Sequence, residues 1–164
     1  MVAGSPMRPA RSRWLRRGCS LAAFASLALA QGTTAASAPA GHFTVGTGPA
    51  ASTVFDTKTR LTWQQGASSG TYVWSDSLTV CASLSLDGSG WRQPTMAELV
   101  TLVDFRASAA PLIDTASFPG TPSALFWTST PLTGSTTEAW AINFDNGTGS
   151  GTDTTSKGYV RCVR

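Results

Sequence analysis

The amino-acid sequence predicts a compact α+β domain with two short helices and a mainly antiparallel, twisted sheet. Short runs in which apolar and polar residues alternate, as in half-buried strands, occur towards both ends of this domain. Two segments with apolar residues at helical spacing lie between these runs. The chain has 164 residues, 41% of them hydrophobic, which suits one domain with its own core.

The first thirty residues have the composition of a secretory signal peptide. A basic segment comes first, with Arg8, Arg11, Arg13, Arg16 and Arg17. An apolar run from Leu21 to Ala30 follows, and it is far shorter than the roughly 20 residues that a membrane span needs. We therefore expect residues 1–30 to be cleaved off after Ala30, with an uncleaved anchor as the alternative. The expected location is secreted, periplasmic or in the cell envelope, with no membrane span after signal removal.

Cleavage would change the charge of the protein. The five arginines of residues 1–30 contribute +5 to a chain whose formal charge is +3, and their removal leaves 7 basic against 9 acidic residues, a net charge of −2. The basic surface that nucleic-acid binding requires is therefore absent from the predicted domain. Nucleic acid is excluded as a partner on this ground.

Cleavage would also leave two cysteines, Cys81 and Cys162. An oxidising compartment favours a single disulfide between them. Two free thiols are the alternative. A metal site is less favoured, because His42 is the one histidine that could assist. No metal or other cofactor is predicted.

The domain begins after a flexible linker over residues 31–41, which is rich in Ala, Gly, Thr and Pro. Residues 42–45 predict an edge strand. Two further runs, 53–55 and 60–63, flank the polar turn 56–59 and predict a β-hairpin.

The first helix is predicted from about Asp76 to Leu84. Ser75 is a candidate N-cap, and the carboxylate of Asp76 lies in the first turn, where the helix dipole favours an anion. Leu78, Cys81 and Leu84 follow at helical spacing and predict its buried face.

The second helix is predicted from a capping box, in which Thr95 accepts from the backbone N–H of Glu98 while the Glu98 carboxylate accepts from the N–H of Thr95. Leu99, Leu102 and Val103 give an apolar stripe, and the helix is expected to run to about Asp104. Glu98 could instead be a catalytic acid or a metal ligand. The capping box is preferred because it explains both of its residues.

The last third of the chain predicts strands. Residues 125–129 and 140–144 have strand patterns. In the second pattern, Trp140, Ile142 and Phe144 alternate with Ala141, Asn143 and Asp145, which predicts one buried and one polar face. Asp-Asn-Gly at 145–147 is a strong hairpin turn signal. The Gly/Thr/Ser-rich stretch 148–157 is interpreted as a loop. Residues 159–164 predict a final strand with Val160 and Cys162 on one face.

The residues required for the common catalytic chemistries do not occur together. His42 is the single histidine and has no carboxylate close in sequence, and no phosphate-binding glycine motif is present. Asp145, Asn146 and Asp153 could offer oxygen ligands to calcium, but a turn explains the first two without an ion. The tryptophans Trp63, Trp127 and Trp140 lie in strand patterns and are expected mostly inside. No enzyme activity and no catalytic residue are predicted.

The motifs taken in order resemble the Lcl C-terminal domain family, a bacterial domain family of unknown function related to the C-type lectin-like fold. The resemblance covers residues 42–164. Its motifs are Val54-Phe55-Asp56, Thr59 to Gln64, Trp74 with Cys81, Trp91 to Thr95 with Glu98-Leu99, Phe118-Pro119, Phe126 to Ser129, Ala139-Trp140 with Phe144 and Gly147, and Val160 to Arg164.

The resemblance implies a compact C-type lectin-like domain whose first and last strands meet. It also implies a disulfide from the first helix to the last strand, which agrees with the pairing of Cys81 and Cys162 expected from export. One departure is Gln93, which stands where the family usually has leucine, so a core position is expected to be polar or slightly exposed. The calcium-dependent sugar-binding motifs of lectins are incomplete, and no metal or sugar ligand is carried over.

The function predicted is that of an exported non-enzymatic binding module for extracellular or cell-surface polysaccharide. This ligand class rests on fold analogy. The alternative is a structural or protein-interaction domain of the cell envelope, with an envelope protein as its partner and no sugar affinity. The polar residues expected to line a ligand surface are Glu138, Asn143, Asp145 and Asn146.

Overall fold

The computed structural model describes Met1 and residues 38–164. Apart from Met1, the predicted signal peptide lies outside the described residues, as does the linker from residue 31 to 37. The elements below all belong to one compact unit, Thr33–Arg164. Within the described part of the chain, no helix has the length and apolar character to cross a membrane.

The fold is a compact α+β domain with two short helices and two antiparallel sheets of three strands each. The single sheet expected from the sequence is thus divided in two. The first sheet contains β1 (Phe43–Val45), β2 (Thr53–Asp56) and β3 (Thr62–Gln64) in that order. The predicted edge strand and hairpin are confirmed, with a 3₁₀ turn at Gly48–Ala50 between β1 and β2.

Both helices begin near the predicted positions but are shorter. The first, α1, spans Trp74–Val80 and has Val73 as its N-cap, so the prediction of Ser75 as the cap is wrong. The predicted buried face is also wrong in part, because Leu78 is 40% exposed while Ser77 is buried. Ser77 and Cys81 are four residues apart and therefore lie on one face of the helix, and this face is buried.

The second helix, α2, spans Met96–Leu99 and continues as a 3₁₀ turn over Val100–Leu102. The capping box of Thr95 and Glu98 is confirmed. Val103 has an extended backbone, so the helix ends before the predicted Asp104.

The second sheet contains β4 (Leu125–Pro131), β5 (Glu138–Asn143) and β6 (Thr148–Asp153) in that order. The prediction that residues 148–157 form a loop is wrong, because six of them form β6. This strand has no apolar side chain, and its pairing with β5 along the whole length holds it in place.

Residues of β5 alternate differently from the expectation. Ala139 and Ala141 are buried beside Trp127, whereas Trp140 is only half-buried. Both faces of β5 are thus covered, and the simple division into a buried and a polar face does not hold. Trp63 and Trp127 are fully buried, as predicted.

The C-terminal segment, residues 158–164, is extended but does not form a regular strand. It makes isolated bridges, pairing Gly158 with Tyr72 and Tyr159 with Phe126, while Val163 pairs with both Trp63 and Arg92. The first hairpin and the chain end therefore meet, as the resemblance implied. Val160 and Cys162 share one cluster with Cys81 and Trp91, and the predicted disulfide between Cys81 and Cys162 is present across a separation of 81 residues.

Arg161 lies in the core with 0% exposure, in the same segment. Its guanidinium donates hydrogen bonds to the backbone oxygens of Gln64 and Gln65 and, over 2.7 Å, to the Thr121 hydroxyl. The rings of Phe118 and Phe126 lie 4.7 and 5.9 Å from it. Burial lowers the pKa of Arg161 to about 9, because the core disfavours the charged form.

Gln93, the departure from the family pattern, is 4% exposed. Its amide donates to the Ser77 hydroxyl over 3.1 Å, and that hydroxyl donates to the carbonyl of Trp74 over 2.6 Å. The core position is therefore polar and buried, with a hydrogen-bonded partner on α1.

Glu98 completes the start of α2 and also binds Arg92. Two hydrogen bonds of 2.8 and 2.6 Å join the Arg92 guanidinium to the Glu98 carboxylate, and the backbone N–H of Thr95 adds a third of 2.8 Å. The hydrogen bonds from Arg92 are the main reason that the pKa of Glu98 falls from 4.5 to about 2. The charged form of Glu98 thus stabilises the fold.

We expect Glu98→Gln to lower the free energy of unfolding by about 1–2 kcal/mol at pH 7, allowing for solvent screening of the pair. The lowered pKa means that the advantage of wild type is complete above pH 4.5 and is lost as the pH falls towards 2. Urea titrations of both proteins between these limits would measure this. A difference that stays constant with pH would contradict it.

We expect Arg161→Met to lower the free energy of unfolding by about 2–4 kcal/mol, because the buried Thr121 hydroxyl and two partly buried backbone oxygens lose their donor. Arg161→Lys should cost a similar amount, since an ammonium cannot reproduce the planar fork. Lys157→Met, at an exposed position, is the control and should change stability by less than about 0.5 kcal/mol. Denaturant unfolding of the three variants tests this, and a fully stable Arg161→Met protein would refute it.

Candidate functional site

A groove of about 280 Å³ opens between the beginning of β1 and the segment that follows α2. Its size is close to the lower limit for small-ligand sites, about 300 Å³. The lining residues are Ala38, His42, Phe43, Thr101, Leu102, Val103, Asp104, Phe105, Arg106 and Asp114.

Phe105 is the most exposed large apolar residue of the domain, at 74%. Its ring lies against Gly147, the last residue of the β5–β6 turn. A Cβ atom on Gly147 would be 2.7 Å from the Cε1 atom of Phe105. The absence of a side chain at this turn therefore lets the ring rest on the backbone while its other face is open to solvent.

Asp104 and Arg106 flank this ring in the chain. The Asp104 carboxylate accepts from the backbone N–H of Arg106 over 2.8 Å and from its guanidinium over 3.3 Å. The Asp104 side chain is 12% exposed, against 61% for that of Arg106. The guanidinium therefore has most of its donors available to a ligand, while the carboxylate orients it.

The other polar groups of the groove have internal partners. The Asp114 carboxylate accepts from the Ser117 hydroxyl over 2.8 Å and is almost fully buried. His42 Nε2 lies 3.2 Å from the Asp56 carboxylate, and the His42 ring stacks on Phe43 at 4.2 Å between centroids. Both side chains are therefore engaged within the domain.

Three of the four predicted ligand residues lie together, at the β5–β6 turn beside Phe105. The Asn143 side chain accepts from the N–H of Asp145, and that of Asn146 accepts from both the N–H and the hydroxyl of Thr148. These amide oxygens build the turn. In the described chain, Asp145 alone of the three makes no hydrogen bond with its side chain, and it is exposed.

Glu138 does not join this group. It begins β5, five residues before Asn143, which places it about 17 Å away at the usual rise of a strand. Asn143, Asp145 and Asn146 thus lie in or next to the turn whose Gly147 contacts Phe105, but none of the three lines the groove, and Glu138 lies at the opposite end of β5.

Sequence reasoning missed Phe105 and its two charged neighbours. The available signal was Asp-Phe-Arg directly after the second helix, where a large aromatic residue stands in a polar loop. Within residues 38–164, no group of three or more His, Cys, Asp or Glu side chains is placed to hold a metal ion.

We expect Gly147→Ala to destabilise the fold by about 2–4 kcal/mol, because Gly147 has φ 73° and an added Cβ atom would lie 2.9 Å from the Cγ1 atom of the half-buried Val103 as well as 2.7 Å from the Phe105 ring. Gly134→Ala is the matched control, since Gly134 has φ 86° but nothing within 4 Å of its added Cβ. Gly134→Ala should lower the free energy of unfolding by about 1 kcal/mol, which is the effect of the backbone strain alone. Denaturant unfolding measures the difference, and equal losses would show that Val103 and Phe105 do not crowd the backbone of Gly147.

The chain was compared with known proteins. The family model described as the Lcl C-terminal domain matches residues 52–164, which is well over half of the chain. No curated protein matches the chain. The match begins at the first hairpin and includes α1, α2, the second sheet and the C-terminal segment. The chain therefore belongs to the Lcl C-terminal domain family.

Proposed function

We propose that this domain is an exported, non-enzymatic binding module that recognises extracellular or cell-surface polysaccharide in the groove beside Phe105. The single observation that carries the proposal is the 74% exposure of the Phe105 ring at the rim of that groove. Exposed aromatic rings with polar neighbours suit ligands that have both apolar and polar surfaces. The proposal assigns no catalytic residue, metal or cofactor.

A sugar unit has such a surface, because its ring offers C–H groups on one face and hydroxyls around the edge. The open face of Phe105 would pack on the C–H groups. The Arg106 guanidinium would donate to hydroxyl oxygens, and the exposed carboxylate of Asp145 would accept from hydroxyl hydrogens. Asn143 and Asn146 are proposed to contribute indirectly, because their side chains stabilise the β5–β6 turn.

A polysaccharide fits this site better than a small metabolite does. At about 280 Å³ the groove is smaller than typical pockets for drug-sized ligands, which measure about 300–1,000 Å³ and bury most of the ligand. A chain of sugar units can lie along such a groove and extend beyond it on either side. Affinity for each unit would be modest, and several units or several domains would add to it.

We further infer a C-type lectin-like fold and export through the segment 1–30. The meeting of the first hairpin with the chain end and the disulfide from the end of α1 to the C-terminal segment support the fold assignment. The disulfide also supports an oxidising location, either outside the cell or in the envelope.

We expect Phe105→Ala to reduce binding to the polysaccharides that wild type selects on a glycan array by at least about tenfold, which is the loss of roughly one aromatic stacking contact. Leu78→Ala is the matched control, because Leu78 is also exposed, at 40%, but lies on α1 and outside the groove. It should bind within about twofold of wild type. Phe105→Trp should keep binding, since the indole also offers a stacking face.

Thermal unfolding of the same variants separates binding from folding. Phe105 is mostly exposed, so its loss should cost less than about 1 kcal/mol. Binding that survives Phe105→Ala would exclude the groove as the site. A wild-type protein that binds no polysaccharide but captures a protein from envelope extracts would favour the structural or protein-interaction alternative.

A further inference from the structure

The outer edge of β6 has no strand beside it in the described chain. β6 pairs with β5 on one side, and neither the sheet order nor the isolated bridges give it a neighbour on the other. All six of its residues are exposed or half-exposed. The opposite edge of the same sheet is covered, because the N–H of Trp127 donates to the carbonyl of Tyr159 and the N–H of Tyr159 donates to the carbonyl of Leu125.

The register of the sheet identifies which backbone groups face outward. The carbonyl of Glu138 accepts from the N–H of Leu132, and that of Trp140 accepts from the Thr128 hydroxyl, so these two residues direct their backbone groups to β4. Because the direction alternates along a strand, Ala139 and Ala141 direct theirs to β6.

The partners of Ala139 and Ala141 on β6 are Thr152 and Ser150, which therefore bond inward. The residues between them in the chain, Gly149 and Gly151, direct their N–H and C=O groups to solvent. Asp153 also faces outward, but its carbonyl accepts from the N–H of Ser156 and closes that end of the edge.

This edge lacks the features that normally prevent strand addition. It contains no lysine, no proline and no bulge, and it is as long as its neighbour β5. Its one charged residue, Asp153, stands at the end. An edge of this kind is a template for another strand.

The sequence of the edge identifies the occupant. Residues 148–152 read Thr-Gly-Ser-Gly-Thr, which is the same in both directions. Two antiparallel copies centred on Ser150 would place Ser150 opposite Ser150 and each outward-facing glycine opposite the other glycine of the second copy. A strand that matches itself in this way suits the two-fold symmetry of a homodimer.

We propose that the protein forms a two-fold dimer in which β6 of one copy pairs antiparallel with β6 of a second copy, in the register centred on Ser150. Gly149 of each copy exchanges two hydrogen bonds with Gly151 of the other, so that four bonds join the strands. Thr148 of each copy lies opposite Thr152 of the other, a favourable cross-strand pair.

The charges are compatible with this arrangement. Asp153 falls opposite Gly147 of the second copy, so the two carboxylates do not face each other. The β4–β5–β6 sheet of one copy and that of the second copy join into one sheet of six strands. The interface formed by one strand from each copy is smaller than the roughly 1,200–2,000 Å² of a stable complex, so the dimer is weak and its population depends on protein concentration.

The register can be tested with cysteines in the full chain carrying Cys19→Ser, in which Cys81 and Cys162 are joined and no other thiol competes. In this register Ser150 of one copy lies opposite Ser150 of the other in a pair that shares no backbone hydrogen bonds. The Cα atoms of such a pair are about 4.5 Å apart, a separation that a disulfide can span. We expect Ser150→Cys to form a covalent dimer under mild oxidation, at least about tenfold faster than Thr148→Cys or Thr152→Cys alone.

Thr148→Cys and Thr152→Cys are matched controls, because each lies on the same strand and face but opposite a threonine. An equimolar mixture of the two should form a heterodimer efficiently, since the register places residue 148 opposite residue 152. Sedimentation of the protein with Cys19→Ser alone should show a monomer–dimer equilibrium in which the fraction of dimer rises with protein concentration. Retained circular dichroism would confirm that each variant folds.

Equal cross-linking rates at positions 148, 150 and 152 would overturn the proposal, because they would indicate random collision. A monomer at every concentration would also overturn it, as would a dimer that Ser150→Cys cannot lock. Capture of an extended segment from another protein on β6, without self-association, would equally refute the second copy as the occupant.

Discussion

The arrangement of the domain depends on the hydrogen bonds that the Arg161 guanidinium donates in the core. A single planar group, away from water, bonds to the end of β3 through Gln64 and Gln65 and to the loop before β4 through Thr121. Arg161 itself belongs to the C-terminal segment. Three parts of the chain that are far apart in sequence are thus held at one point, and the flanking Phe118 and Phe126 rings restrict where that point can be.

Local chemistry explains the elements that sequence reasoning predicted well. The first hairpin follows from Asp56, whose carboxylate accepts from the backbone of its own turn, and the start of α2 follows from Thr95 and Glu98. The turn at Gly147 requires a positive φ, which the Asn-Gly pair supplies. In each case the necessary contacts lie within a few residues, so the sequence pattern contains the whole interaction.

Long-range contacts explain what could not be predicted. β6 carries no apolar pattern, because Gly149 and Gly151 leave room for the side chains of Met96 and Leu132. The final segment reads as a strand, yet it bonds in turn to several different partners. The groove could not be predicted for the same reason, because Phe105 and Gly147 are far apart in the chain and no local sequence rule links them. Of the four predicted ligand residues, Glu138 lies apart from the other three because the length of β5 separates it from the turn.

The closure of the chain end onto the first hairpin has a consequence for biogenesis. Val163 and Arg164 bond to β3 and Arg92, and most of the domain lies between these contacts in sequence. Contacts of such long separation form slowly and only once both ends are available. The native core of the domain therefore cannot be completed until residues 163 and 164 have left the ribosome. The core thus forms after the synthesis of the domain and not during it.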